Sequence, residues 1–406
     1  MTGANPRIVV TGLGLMTGLG LDLETSWRGL LAGETPAARF KSFDPEGLAC
    51  PFGVELPDGA NELFQSRIKK RHRSQMTRGT MLNVVTAQMA IEDAHFDGAL
   101  LDRSRVGVVM GSTGTCYTWS EPTPDPQRIL RVMPNAPAAW VSLGEKFGGP
   151  SLVVSTACSS GAYALAYAWM LIATGQCDAV IAGAGDSSIN YLDVEGFGSL
   201  MALSEPVADV ATASRPFDKE RSGFVMGEGG GMLALETLDA AQRRGARVYA
   251  ELHLPALTSE TYNIVSPEPK GVGMAKAMSC ALQNAALAPE AIDYINAHGT
   301  STHLNDLYET EAIRQVFGAH AYSLAVSSTK SMTGHCLAGA AGVEAVVCCK
   351  AIEAGMLPPT ANLRTPDPEL DLDYVPNVAR QKELRHAMSN SFAFGGHNGV
   401  CVFSKM

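Results

Sequence analysis

The chain passes twice through the same order of strand-like and helix-like segments, and that repetition narrows its fold more than any other feature. In the first pass, "RIVVTGLG" (7–14), "RVGVVMGS" (105–112), "SLVVSTA" (151–157) and "DAVIAGAGDSS" (178–188) have the β-branched and small apolar residues of buried strands. The stretch "MLNVVTAQMAIEDA" (81–94) and the segment after Cys158 read as helices. In the second pass, "RVYAELHL" (247–254) mirrors the first strand, and "AIDYINAHGTST" (291–302) runs from an apolar strand into a Gly/Thr turn as 105–115 does. "GHCLAGAAGVEAVVCCKAIEAG" (334–355) matches the helix after Cys158, down to "IEAG" beside "IATG". Both helices are rich in Ala and Gly, as two helices need if they pack closely against each other. Alternation of this kind gives an α/β protein whose sheets are covered on both faces, expected as two similar halves, 1–240 and 241–406.

The stretch "SLVVSTACSSGAYALAYAWMLIATGQ" (151–176) puts Cys158 in a turn of small residues between a strand and a helix that ends at Gly175. The free N–H groups of a helix's first turn stabilise an anion, so this position is expected to lower the thiol pKa. The nine cysteines (50, 116, 158, 177, 280, 336, 348, 349, 401) form no CxxC pair, and an odd count in a long chain argues against a disulfide framework. No metal-ligand cluster and no nucleotide, flavin or pyridoxal motif is visible. "GLGLMTGLG" (12–20) fails as a dinucleotide fingerprint because Thr17 stands where the third glycine belongs. A net charge of −10 argues against nucleic-acid binding. No apolar run reaches membrane-spanning length and the first residues lack a signal pattern, so a cytoplasmic chain without a membrane segment is expected. Against this acidity, Arg67, Lys69, Lys70, Arg71, Arg73 and Arg78 fall within twelve residues. They read either as a solvated helical face or as a docking patch for an acidic partner.

Three further turns carry reactive side chains: His298 in "NAHGTSTHLND" (296–306), Lys330 and His335 in "SSTKSMTGHCLAGAAG" (327–342), and the glycine-rich "SNSFAFGGHNG" (389–399). A lone histidine is more often structural. Histidines at strand-to-turn junctions of a duplicated α/β fold, however, gather where catalytic groups gather. "STACSSG", "NAHGTST", "STKSMTGH" and "NSFAFGG", in that order and spacing, resemble the motifs of the β-ketoacyl-acyl-carrier-protein synthases of the elongating Cys-His-His type, in the thiolase-like superfamily. The resemblance covers nearly the whole chain, including "RPFDKERSGFVMGEG" (215–229).

That resemblance implies a five-layered αβαβα sandwich built from two duplicated halves, usually dimeric. It implies decarboxylative Claisen condensation, with Cys158 holding the acyl chain and His298 and His335 donating to the enolate oxygen. Lys330 would set the electrostatics of the site and Glu344 would be its buried structural partner. The backbone N–H groups of Cys158 and Phe394 would form the oxyanion hole, with Phe394 and Phe392 gating access. Thr300 and Thr302 would hold the pantetheine arm, and the basic stretch at 67–78 would dock the acyl carrier protein. Substrates would arrive on the carrier's phosphopantetheine with no separate cofactor. A monovalent cation near the "NAHG" and "SNS" turns is left open.

The chain also departs from that pattern. It has "FAFGGHN" for "FGFGGTN", so Ala393 should restrict the gating loop and His397 replaces a threonine. "SETYNIVSPEP" (259–269) differs from "SDAYHMTSP", and 113–140 is shorter than and unlike its counterpart. These differences leave two questions open: fatty-acid against type II polyketide or polyene substrates, and a homodimer against a heterodimer with a chain-length-factor-like paralogue. A degradative thiolase would need a second thiol, and Cys401 lies too far along the last strand to supply it easily. A non-catalytic scaffold subunit would not need Cys158 together with both histidines.

Overall fold

A computed structural model describes residues 6–96, 101–113 and 126–406. Eleven strands, β1 (Ile8–Met16), β2 (Val106–Gly111), β3 (Ser151–Val154), β4 (Ala179–Asp186), β5 (Gly229–Thr237), β6 (Ala250–Leu252), β7 (Ala256–Ser259), β8 (Tyr294–Asn296), β9 (Ala325–Ser327), β10 (His386–Ala393) and β11 (His397–Ser404), make one hydrogen-bonded sheet. The repetition is written in its order. The first half runs β1-β5-β4-β2-β3, with the first two pairings antiparallel and the last two parallel. The second half runs β7-β11-β10-β8-β9 with the same sequence of senses. Short β6 pairs with both β1 and β11 and so joins the two halves along one edge.

Helices cover both faces. α1 (Arg78–Asp93) lies on the outer face of the first half, and α2 (Ala136–Glu145) follows β2 on the same side. α5 (Val272–Ala285) and α6 (His303–Phe317) cover the second half, where Met274, Met278, Ala312 and Ile313 share one apolar cluster. The middle layer is α3 (Ser160–Ala173) and α7 (Ala338–Ala354), whose buried Ala, Leu, Val and Cys side chains form the largest core cluster with residues of both half-sheets. The short α4 (Tyr191–Ser199) sits at the surface with only Val194 buried. The result is the expected αβαβα arrangement of two duplicated halves.

Glycines set the spacing of the middle layer. A Cβ added at Gly161 of α3 would lie 2.8 Å from the backbone N of Gly342 on α7, and one at Gly342 would lie 2.4 Å from the carbonyl O of Gly231 on β5. The glycines of 12–20 have a similar use: a Cβ at Gly12 would meet Ala90 O of α1 at 2.2 Å, so this stretch is a packing surface. The described cysteines are all free, and Cys401 is buried in β11 opposite Ser389. Cys116 and residues 114–125 of the unusual stretch 113–140 lie outside the described residues. Gly342→Ala should therefore destabilise the protein by about 1–3 kcal/mol, the usual cost of overpacking, as read from the shift of a denaturant-unfolding midpoint. Unchanged stability would show that α7 is free to lift away from β4 and β5, whose Ala184 and Gly231 backbones a Cβ at Gly342 would meet.

Candidate active site

The turn before α3 is fixed by the serines of its own motif. Ser160 Oγ accepts from Thr156 N (2.9 Å) and donates to Ala157 O (2.6 Å), while Ser159 Oγ donates to Thr156 O (2.8 Å). Ala157 takes a left-handed φ of 50°, an uncommon state for a side-chain-bearing residue, and this sharp bend presents Cys158 at the head of the helix. The turn before α7 is held by Val225 and Gly227: His335 N donates to Val225 O (2.7 Å) and Gly227 N to His335 O (2.9 Å). The two helix starts face each other, and His335 Nε2 lies 3.1 Å from Cys158 Sγ.

His298 follows β8. Its own N–H and that of Gly299 donate to the Glu309 carboxylate on α6 (2.9 and 2.8 Å), which also accepts from Asn390 Nδ2 (3.0 Å). The His298 and His335 rings stand edge to face, 5.4 Å between centroids, with the Phe224 ring against His335 and the Phe392 ring against His298. Nδ1 of both rings is buried without a hydrogen-bond partner. A bare acceptor there costs less than an orphaned N–H, so the proton belongs on Nε2, facing the cavity.

Burial and the nearby Lys330 charge hold both imidazoles well below the usual histidine range, and His335 adds to the effect on His298. The two rings are neutral donors at neutral pH. The Cys158 thiol departs from expectation: burial pushes it up to about 12, against the pull of Lys330. Desolvation of a thiolate at this buried position outweighs the favourable helix start, so the resting residue is a thiol. Lys330 and Glu344 form a hydrogen-bonded ion pair with both side chains buried, and burial raises Glu344 to about 7 while Lys330 opposes it. Both are therefore interior groups.

One cavity of about 280 Å³ is lined by Cys158, His298, His335, Thr300, Thr302, Phe392 and Phe394. Thr300 and Thr302 are bonded through their hydroxyls (2.9 Å). Their turn is held by Asp306, which accepts from Ser301 N (3.2 Å) and Phe217 N (2.8 Å) and lies 3.8 Å from buried Arg221. Glu309 and Asp306 were not singled out in the sequence; two acids three apart on the helix after "HGTST" were the available signal. Cys401 does not line the cavity, which leaves the thiolase reading without its second thiol. The two unusual loops prove to be one unit. Gly395 N donates to Ile264 O (2.7 Å), Glu260 N to Gly396 O (2.9 Å), and Asn398 Nδ2 to Glu260 Oε1 (3.1 Å). Ala393 itself is extended, a state any residue adopts, and the His397 ring packs edge-on to Tyr163 at 6.2 Å.

The basic stretch divides. Lys69, Lys70 and Arg71 are exposed, and Arg67 pairs with Glu92. Arg73 donates to the carbonyls of Gln65 (2.8 Å) and Ile68 (2.6 Å), and Arg78 is bonded to the buried Glu228 carboxylate. These last two brace the fold, so a docking face at this point is narrower than six residues. Among the described residues no group of His, Cys, Asp and Glu could hold a metal ion, and no helix is long and apolar enough to cross a membrane.

Comparison with known proteins agrees with this geometry. Residues 5–241 match the family model "Beta-ketoacyl synthase, N-terminal domain", and 249–364 match "Beta-ketoacyl synthase, C-terminal domain". The chain belongs to the β-ketoacyl synthase family. With that membership comes the acyltransferase chemistry of decarboxylative carbon–carbon bond formation. Relatives in this family include the 3-oxoacyl-[acyl-carrier-protein] synthase 2 of Synechocystis sp., 42% identical over 411 residues and 98% of each chain. The enzyme of the same name from Staphylococcus aureus is 38% identical over 416 residues and 99% of each chain. Two solved structures share the fold at a TM-score of 0.90, each matching 99% of this chain and 100% of the other. One is from a complex of a type II polyketide acyl-carrier protein with its ketosynthase bound to the hexaketide, at 29% identity. The other is from the ishigamide ketosynthase/chain length factor, at 31% identity. The loop at 391–399 lies beyond the C-terminal family match.

Because the folded pKa values of His298 and His335 lie below 6.5, their neutral forms persist as pH falls through that value. Their ring signals in a histidine-labelled NMR pH series should not titrate between about pH 7.5 and 6. Titration of either ring near pH 6.5 would contradict the buried, neutral assignment.

Proposed function

We propose that this chain is the catalytic subunit of a chain-elongating ketosynthase, with Cys158, His298 and His335 as its reacting groups. The observation that carries the reading is the 3.1 Å contact of His335 Nε2 with Cys158 Sγ, in one cavity with the neutral His298 and the Thr300/Thr302 pair. In the first half-reaction the Cys158 thiol attacks an acyl thioester brought on phosphopantetheine. The His335 Nε2–H stabilises sulfur as it becomes anionic, and the proton leaves with the departing pantetheine thiol. Acylation turns the sulfur into a poor acceptor and releases His335.

In the second half-reaction malonyl-carrier protein binds with its thioester oxygen towards both Nε2–H groups. Loss of CO₂ puts negative charge on that oxygen, and preorganised donors aimed at it contribute several kcal/mol, roughly 3–4 per donor by analogy with oxyanion holes. The enolate carbon attacks the Cys158 thioester, whose oxyanion is held by the N–H groups of Cys158 and Phe394. Collapse forms the 3-ketoacyl-carrier protein and expels Cys158 thiolate, which takes up one proton. Lys330, paired with Glu344, keeps the histidines neutral; Phe392 and Phe394 gate the cavity; Thr300 and Thr302 hold the pantetheine amides. No separate cofactor or metal takes part.

The substrates in this reading are acyl and malonyl groups of fatty-acid or type II polyketide or polyene elongation, carried by an acyl carrier protein in the cytoplasm. The duplicated halves divide as 1–240 and 241–406. The free edge of β3, with Leu152, Val153 and Val154 half-buried, supports pairing with a second subunit. That subunit is another copy or a chain-length-factor-like paralogue. His298→Ala should still form an acyl adduct on Cys158 by intact mass, yet lose about 10²–10³-fold in condensation rate. Cys158→Ala should form no adduct. Loss of adduct formation in His298→Ala, or an adduct on Cys158→Ala, would overturn these roles.

A further inference from the structure

The mouth of the cavity carries side chains that the condensation chemistry leaves unexplained. α4 ends there. Met201 N donates to Gly198 O (2.8 Å) and Ala202 N to Phe197 O (3.2 Å), the paired bonds of a Schellman ending. The left-handed position in such an ending favours glycine, yet Met201 occupies it with φ 53°. Its side chain is 89% exposed, so packing within this chain does not offset the strained backbone. Leu200 beside it is 52% exposed, and Leu304 in the first turn of α6, two residues past Thr302, is 44% exposed. All three line the cavity together with Thr300 and Thr302, and no lysine or arginine lines it among the described residues.

We propose that Leu200, Met201 and Leu304 form an apolar seat for the acyl carrier protein, gripping nonpolar side chains around the serine that bears its phosphopantetheine. This rests on the condensing reading above. The occupant follows from access: an arm that delivers its thioester to Cys158 through this mouth brings the carrier surface at its root against the rim. A structural relative comes from a complex of an acyl-carrier protein with its ketosynthase. No lysine or arginine lines this rim among the described residues, and His303 is the basic side chain beside Leu304, so contact here is mainly apolar, and electrostatic steering is assigned to the exposed Lys69, Lys70 and Arg71. Methionine suits the task because its flexible thioether adapts to an irregular partner surface.

The test compares two bromoacetyl probes for alkylation of Cys158 in the full chain. One is carried on the phosphopantetheine of the host's acyl carrier protein and the other on free pantetheine. The readout is the ratio of carrier-borne to free-probe rates. Met201→Gly relieves the left-handed strain, so its unfolding midpoint should equal or exceed that of the wild type. Its rate ratio should nevertheless fall about tenfold, the loss expected on truncating an interface anchor. Leu304→Asn should lower the same ratio. A ratio within about twofold of wild type in Met201→Gly would overturn the seat. A wild-type chain that neither probe alkylates at Cys158 would overturn the condensing reading and this inference with it.

Discussion

The contact on which this molecule depends is the backbone-to-backbone approach of α3 and α7 at Gly161 and Gly342. The two helices are the same element of two repeated halves, and each follows the third strand of its half. Packed between the half-sheets with no side chain to separate them at the crossing, they bring their N-terminal turns together. Cys158 stands two residues before one helix, and His335 three residues before the other. Duplication thus supplies two strand-turn-helix units, and close packing makes one site of them. A side chain at the crossing would wedge apart the two turns whose separation sets the Sγ–Nε2 distance.

The chemistry of the site follows from its burial. Burial raises the cost of every charge, so the thiol stays protonated and the imidazoles stay neutral, while the buried cation beside them, Lys330, is answered by Glu344. A removed partner would leave an uncompensated interior charge, which is costly. The pair therefore keeps a positive potential near the histidines without exposing them to water. Such a site is suited to donating hydrogen bonds to developing negative charge and poorly suited to general-base catalysis. Decarboxylation meets that restriction because the carbanion arises by loss of CO₂, with no proton to abstract.

Much of this was legible in the sequence because it is local. The β-branched runs, the turn serines around Cys158 and the Ala/Gly content of α3 and α7 each act within a few residues. Their order alone indicated two halves and the four turns that converge. What escaped the sequence is what depends on three-dimensional surroundings. The net effect on the Cys158 thiol could not be read from a helix start alone, because desolvation opposes it. Arg73 and Arg78 looked like free surface charge, but backbone carbonyls and Glu228 from distant segments engage them. Glu309 stands three residues after Asp306, but that spacing alone does not say that its carboxylate caps the His298 turn. The two divergent loops read as separate departures, and only their hydrogen bonds through Glu260, Ile264, Gly395 and Asn398 show that they form one unit.

The central claim is that one histidine serves both half-reactions in turn, released from Cys158 by acylation of the sulfur. The most direct measurement is the rate of ¹³CO₂ release from malonyl-carrier protein labelled in its free carboxyl. It would be followed with Cys158 free and with Cys158 capped by a non-transferable alkyl group. Capping removes the acceptor that holds His335 Nε2–H, so the account predicts faster decarboxylation on the capped protein. Equal or slower release after capping would contradict it and separate the role of His335 at the enolate from its contact with Cys158.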